Sequence, residues 1–298
     1  MKPLAMIAVA ACASLGICSA QPIEGTFERT INLTGPANLD LTTDSGGISV
    51  TPGAAGSVRI RGILTAQRRL LRSPDVESRI HRIESNPPIE QSGNSIRVGY
   101  VNERRLLKDI SMRLEIVVPP ESQVRARADS GGIRVEGIRG PIDCKADSGG
   151  IDVRHIASEV RAVADSGGVH VRDVKGPVYA RTDSGGIEAL EIAGSIDAQT
   201  DSGGIRLSQT MAAPIRARAD SGGATLTLAS TAGYDLRVRT DSGRITMREM
   251  TVRGNLSNRQ AEGKVRAGGP LVDVQVSSGN IEIRLPRTQA AGPQCVME

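Results

Sequence analysis

The tetrapeptide Asp-Ser-Gly-Gly begins at Asp44, Asp129, Asp147, Asp165, Asp183, Asp201 and Asp220, and a variant, Asp-Ser-Gly-Arg, begins at Asp241. From Asp129 to Asp201 the copies fall 18 residues apart, and the spacing then stretches to 19 and 21. Ser277-Ser278-Gly279-Asn280 occupies the same slot 36 residues after Asp241, and residues 261–267 read as a degenerate turn between the two. A motif returning at fixed spacing specifies a stacked repeat, one structural unit per period.

The flanking residues define that unit. Five positions before the Asp stand Val124, Ile142, Val160, Val178, Ile196, Ile215 and Leu236; three before stand Ala126, Cys144, Ala162, Ala180, Ala198, Ala217 and Val238. Four positions after it come Ile133, Ile151, Val169, Ile187, Ile205, Ala224 and Ile245, and the intervening positions are mostly polar. Period-two alternation on both sides of a Gly-Gly corner means two half-buried strands per unit, not a helix. One unit cannot bury its apolar faces alone. Stacking the units places like strands about 4.8 Å apart and closes two sheets over a core roughly 10 Å thick. The fold class is therefore all-β, a parallel β-solenoid (β-helix or β-roll) with 18-residue rungs of two strands each, about ten rungs in all. Aromatic residues make up only 1% of the 298-residue chain, which suits a thin interior of Val, Ile, Leu and Ala. At each corner the Asp carboxylate is expected to accept backbone N–H groups two or three residues on, with Gly supplying positive φ. Carboxylates stacked on neighbouring rungs repel by about 1 kcal/mol in water, so each needs N–H donors or a shared cation.

Residues 1–20 read as an export signal, with Lys2, an apolar run from Leu4 to Gly16, and cleavage after Ala20. Cys12 sits in a lipoprotein-like box but early for one; either route delivers the chain to the periplasm, the cell surface or the medium, with no transmembrane segment in the mature chain. Cys144 and Cys295 then remain, too few for a disulfide framework. Cys144 stands in a column otherwise filled mainly by Ala and reads as a small buried group. Residues 21–285 form a single solenoid domain whose first rung is 39–50, and 286–298 a flexible tail. The 85 residues from Asp44 to Asp129 hold an insertion or cap at about 60–118. There Ser73–Ser85 predicts a helix with Pro74 in its first turn and Val76, Ile80 and Ile83 on one face, and residues 94–101 and 111–120 predict strands. A cap of this kind covers strand edges that an open solenoid end exposes.

The run ISMRLEIVVPPESQVRARADSGGIRV, Ile110 to Val135, joins a strand ending in Val-Pro to the recurrent x-Ser-Gly-x-Ile-x-Val turn. This pattern resembles the bacterial candidate-adhesin domains of unknown function over most of residues 30–285. The resemblance implies an exported β-solenoid, often at the cell envelope, and brings no catalytic residues.

Asp-Ser-Gly-Gly is also the core of the nucleophile loop of chymotrypsin-like proteases. That chemistry needs one Ser with a His, a buried Asp and an oxyanion hole. Here the Ser recurs and only His81, His155 and His170 are present, in the helix, near the far corner and beside a Gly-Gly turn. Glycan cleavage needs paired carboxylates in a groove with sugar-stacking surfaces, whereas these acids recur as ladders. The chain reads as no enzyme and as needing no cofactor. Calcium β-rolls place Asp after the glycines in G-G-x-G-x-D-x-U-x; Asp precedes them here. Ca²⁺ at the ladder Asp129, Asp147, Asp165, Asp183, Asp201, Asp220 and Asp241 is thus a weaker reading than Asx-type turns.

Two positions before the Asp lie Arg127, Lys145, Val163, Arg181, Gln199, Arg218 and Arg239. Arg127, Lys145, Arg181, Arg218 and Arg239 form a basic stripe. It reads first as a solvated face offset by acids such as Asp143 and Asp197, and second as a docking surface for an anionic polymer. The net charge of +4 is too small to imply nucleic acid. The sequence thus points to a non-enzymatic, exported structural or adhesion scaffold, partnered by envelope polysaccharide or another surface protein. The alternatives are a module for anionic polysaccharide using the stripe, and end-to-end assembly into filaments.

Overall fold

The computed structural model describes residues 23–66, 75–101, 103, 105–229 and 232–286; the expected export signal at 1–20, Ser73-Pro74 and the expected tail beyond Pro286 lie outside the described residues. Strands preceding the corners form a 13-stranded sheet, and those following them a 12-stranded sheet, both parallel through their interiors. Register is strict: Ile142, Cys144 and Ala146 sit beside Val160, Ala162 and Ala164, and Ile151 and Val153 beside Val169 and Val171. Because side chains alternate along a strand, each rung sends Ile142, Cys144, Ala146, Ile151 and Val153 inward and Asp143, Lys145 and Asp152 outward. The inward columns merge into one continuous core. Burying each Val or Ile contributes about 1.5–3 kcal/mol. Cys144 is fully buried in it, and burial, with Asp143 adding to it, pushes its thiol well above the ordinary value. A thiol so placed is inert.

Nine rungs stack, and their corners follow the spatial order Asp44, Asp129, Asp147, Asp165, Asp183, Asp201, Asp220, Ser277, Asp241. This departs from chain order. Strands Leu271–Ser278 and Ile281–Arg284 insert between the Asp220 and Asp241 rungs, so that Ser278 pairs with both Ser221 and Ser242. Residues 261–267 are not a degenerate rung. Gln260–Val265 runs antiparallel to Tyr234–Ser242 and forms a hairpin with Val252–Leu256. Only Ala261 and Val265 of that strand are buried, too little apolar surface to build two inward walls.

The first rung, Asn38–Ser45 and Ile48–Pro52, stacks in register on Gln123–Ser130 and Ile133–Glu136. The intervening chain closes that end of the solenoid. Ser111–Val118 extends the 12-stranded sheet beside Ile48–Pro52, followed outward by Ser57–Ala66 and Ile23–Asn32, both antiparallel to their inner neighbours. Ser95–Val98 extends the other sheet beside the first rung. The helix spans Val76–Ser85 after Asp75 and buries Val76, Ile80 and Ile83. Its Glu84 Oε1 accepts the Thr26 N–H at 2.8 Å, occupying a donor of the outer strand. That bond, and after it the contact with His81, holds the Glu84 carboxyl below the ordinary range.

The far corner has a feature the sequence does not announce. Gly137, His155, Asp173 and Glu191, spaced 18 apart, all adopt left-handed backbone with φ of 71°, 55°, 50° and 60°. Pairing runs from Arg154↔Arg172 directly to Ile156↔Val174, so His155 and Asp173 bulge out of the ladder. The bulge turns the chain toward Gly140-Pro141 and Gly176-Pro177, where the next rung starts. Among the described residues no helix is long and apolar enough to cross a membrane.

Candidate functional site

The Asp-Ser-Gly-Gly corner is held by the stack rather than by its own side chains. Ser148 N donates to Asp129 O, Ser166 N to Asp147 O, Gly185 N to Ser202 O and Ile133 N to Gly150 O, at 2.8–3.0 Å. Inter-rung bonds therefore reach the corner from both of its strands. Among the described residues no backbone N–H donates to the carboxylate of Asp129, Asp147, Asp165, Asp183, Asp201, Asp220 or Asp241, which corrects the expected Asx turn. A neighbouring rung takes the N–H two positions on at Gly46, Gly185, Gly203 and Gly222, and the carboxylates project outward beside the Ser residues.

The two glycines differ in role. A Cβ on Gly149 would collide with the carbonyl of Gly131, one on Gly167 with that of Gly149, and so on through Gly243 against Gly279. A Cβ on Gly150 would lie 3.4 Å from Gly168 O, an ordinary contact. Only the second position admits side chains, and it carries Arg244 and Asn280 in two corners. At three corners the buried hydroxyl of the Thr preceding the Asp bonds the glycine carbonyl of an adjoining rung: Thr182 to Gly167 at 2.8 Å, Thr200 to Gly185 at 3.0 Å, Thr240 to Gly279 at 2.9 Å; Thr43 donates instead to Met112 O at 2.9 Å.

The structure brings the aspartates and the basic stripe together on the outer face of the 13-stranded sheet. Lys145 lies 3.3 Å from Asp147, Arg181 3.4 Å from Asp183, and Arg239 3.2 Å from Asp241. Arg127 reaches Asp40 at 3.3 Å, and Arg218 makes no ion pair among the described residues. These pairs are exposed and each adds about 1 kcal/mol at most. Among the described residues no group of three His, Cys, Asp or Glu side chains is placed to hold a metal ion.

Asp129 is the ladder member whose carboxyl is raised above its ordinary value, first by partial burial and then by Asp44 and Asp147 on either side; Lys145 offsets part of this. A raised folded-state value means the native chain binds the proton more tightly than the unfolded one. Stability then falls as pH climbs from the ordinary Asp value to the raised one, and the penalty persists above it. With solvent screening at this exposed site, Asp129→Asn is expected to gain about 0.5 kcal/mol near neutral pH. In melting temperature that is about 1–2 °C, shrinking to nothing below about pH 3.9. Thermal melts of both proteins at the two pH values measure it.

A further column lies four positions before the Asp, nearer the far corner. In register it reads Asp40, Arg125, Asp143, Arg161, Tyr179, Asp197, Arg216, Asp273. Charges alternate along it, as neighbours one rung apart require. Arg125 pairs with Asp143 at 3.4 Å and Arg216 with Asp197 at 4.0 Å, while the Arg161 guanidinium lies 4.3 Å over the Tyr179 ring. Between this column and Pro141, Pro177 and Pro214 runs a groove of 630 Å³ that crosses seven rungs from Gln123 to Asp273. No member of the basic stripe lines it. The signal was present in the sequence as charge alternation at 18-residue spacing.

The opposite face carries a similar ladder: Arg134 to Asp152 at 3.4 Å, His170 to Glu188 at 3.4 Å, and Arg206 to Glu188 at 3.1 Å. Burial pushes the Glu188 carboxyl up, but Arg206 and His170 outweigh it and hold the group below its ordinary value. His81 contacts Glu84 and His155 contacts Glu136. No corner serine is hydrogen-bonded to a histidine among the described residues.

A family profile described as Toastrack DUF4097 matches residues 86–284. No curated protein matches the chain. Solved structures similar to it include two candidate adhesion proteins. One is a candidate adhesin from Bacteroides fragilis, 14% identical, covering 88% of this chain and 97% of its own, with a TM-score of 0.49. The other is a candidate cell adhesion protein from Clostridium sporogenes, 13% identical, covering 89% of this chain and 100% of its own, with a TM-score of 0.29.

Proposed function

The chain belongs to the Toastrack DUF4097 family, and we propose that it is a non-enzymatic, exported scaffold with a structural or adhesive role at the cell envelope. The observation that carries this reading is the outer surface. Two long faces repeat every rung, about 4.8 Å apart, and their charges are matched by neighbours on the same face. A surface of this kind resists self-association and displays side chains in rows, as a rigid presenting platform must. Among the described residues none of the recurrent serines is hydrogen-bonded to a histidine, and their recurrence at every corner supports a structural role. The basic stripe is largely offset by Asp40, Asp147, Asp183 and Asp241, which favours a solvated face over an anion-docking stripe. The antiparallel strands and the Glu84 contact at the first-rung end speak against end-to-end assembly.

Fractionation of host cells and a deletion strain test the proposal. The chain is expected in the envelope fraction, and the deletion strain is expected to attach to surfaces several-fold less, with attachment restored by a supplied copy. A chain confined to the cytosol would overturn export, and undiminished attachment would overturn adhesion.

A further inference from the structure

We propose that the groove beside Pro141, Pro177 and Pro214 is a binding cleft for an extended, carboxylate-bearing polysaccharide lying along the solenoid axis, with Arg161 receiving a carboxylate and Tyr179 a sugar face. This deepens the envelope reading above by naming the class of polymer bound.

The direction of the groove is the first argument. It crosses seven rungs, so an occupant runs perpendicular to the strands and meets the same lining once per rung. An extended peptide repeats its side-chain direction every two residues, about 6.6 Å, and falls out of step with rungs about 4.8 Å apart. A chain of pyranose rings linked across the ring advances by close to one rung per sugar, so successive rings meet successive rungs.

The second argument is a gap in the charge pattern. Arg125 and Arg216 each have a carboxylate one rung away, at 3.4 and 4.0 Å. Arg161 stands in register beside Asp143, which Arg125 engages from the other side, and its own guanidinium is turned over the Tyr179 ring on the next rung. Arg161 is exposed and, among the described residues, makes no hydrogen bond or ion pair through its guanidinium. Its planar fork matches a carboxylate bidentately. A ligand carboxylate there supplies the partner that the Arg161 guanidinium lacks. Tyr179, half-buried, and exposed Pro177 and Pro214 supply the apolar surface on which the C–H face of a sugar rests. Asp197 and Ser195 line the same stretch and can accept sugar hydroxyls.

Affinity measurements on the purified chain with polygalacturonate, dextran and poly-L-glutamate test this. Saturable binding to polygalacturonate and none to dextran is expected. Arg161→Ala and Tyr179→Ala should each weaken it at least about 10-fold, the equivalent of about 1.4 kcal/mol, with unchanged melting temperatures. A doubly substituted stripe variant, Arg181→Ala with Arg218→Ala, should bind as the parent does. Absence of polygalacturonate binding, equal binding of dextran, or loss through the stripe variant alone would each overturn the cleft. Binding of poly-L-glutamate as tight as polygalacturonate would overturn the glycan in favour of an acidic polypeptide. Reduced attachment of the deletion strain without polygalacturonate binding would keep the envelope role and remove this cleft. Binding without an attachment defect would do the reverse.

Discussion

Gly149→Ala should cost about 4 kcal/mol or more, at the diagnostic end of single-substitution effects, whereas Gly150→Ala should stay within about 1 kcal/mol. The two glycines are neighbours in one corner, and propensity alone would rank them equal. The difference lies between rungs. The added methyl of Gly149→Ala would occupy the space of the Gly131 carbonyl, which is itself fixed in the stack. No rotamer can relieve the clash, since a methyl has none. Relief requires opening the rungs at the corner, and that breaks the ladder bonds from Ser148 N to Asp129 O and from Ser166 N to Asp147 O. At Gly150 the same methyl meets ordinary contacts, and losing glycine's unfolded-state freedom compensates. Equilibrium denaturation of the three proteins measures the contrast. Equal destabilisation by both substitutions would mean that the corner needs glycine for its backbone angles, and the close-approach account would fail.

The same contrast shows how far the sequence could be read. Period, alternation and the inward columns were legible because each residue's face follows from its place along a strand. Val124, Ile142 and Val160 point inward whatever lies outside them. The match of Asn38–Ser45 to Gln123–Ser130 was legible for the same reason, despite the long insertion between them. What the Asp does was not legible, because an Asx turn is a local bond whereas corner N–H groups such as those of Ser148, Gly185 and Gly203 are claimed by a neighbouring rung. The left-handed column at His155, Asp173 and Glu191 left no trace, since those residue types share no preference strong enough to mark it; only Gly137 does. Of the groove, the alternating charges were readable, but not its depth, which comes from the prolines of the far corner lying beside the sheet. Rung order failed for an energetic reason. The Ser277 rung buries Val272, Val274, Val276, Ile281 and Ile283, whereas Ile245 and Met247 of the Asp241 rung are only partly covered. The Ser277 rung carries Val276 where the Asp241 rung carries Thr240, and the more apolar of the two takes the interior place.

That exchange of places makes the last strands internal to the stack, with a consequence for truncation. In a solenoid built in chain order, ending the chain at Pro270 would remove a terminal rung and leave the rest intact. Here it removes the rung that pairs on one side with Ile215–Ser221 and Ala224–Thr227 and on the other with Tyr234–Ser242 and Ile245–Arg248. Five buried aliphatic side chains at about 1.5–3 kcal/mol each put the loss on the order of 10 kcal/mol. The Asp241 rung cannot simply close up. Its link is anchored by the Tyr234 hydroxyl, which accepts the Ala229 N–H at 3.0 Å, and by Gly233, whose surroundings are the Gly268 and Gly269 backbone. Hydrogen exchange should therefore show amides of 236–247 unprotected in the chain ending at Pro270, while those of 142–207 keep their protection. A chain ending earlier, at Leu228, should melt no lower than the one ending at Pro270, because the extra 42 residues retained by the longer chain have lost the rung they dock on. Continued protection of 236–247 in the longer chain would mean that the Asp241 rung can shift onto Ile215–Ser221. The corner motif would then be an interchangeable stacking unit, and rung order would be set by the available neighbour rather than by apolar content.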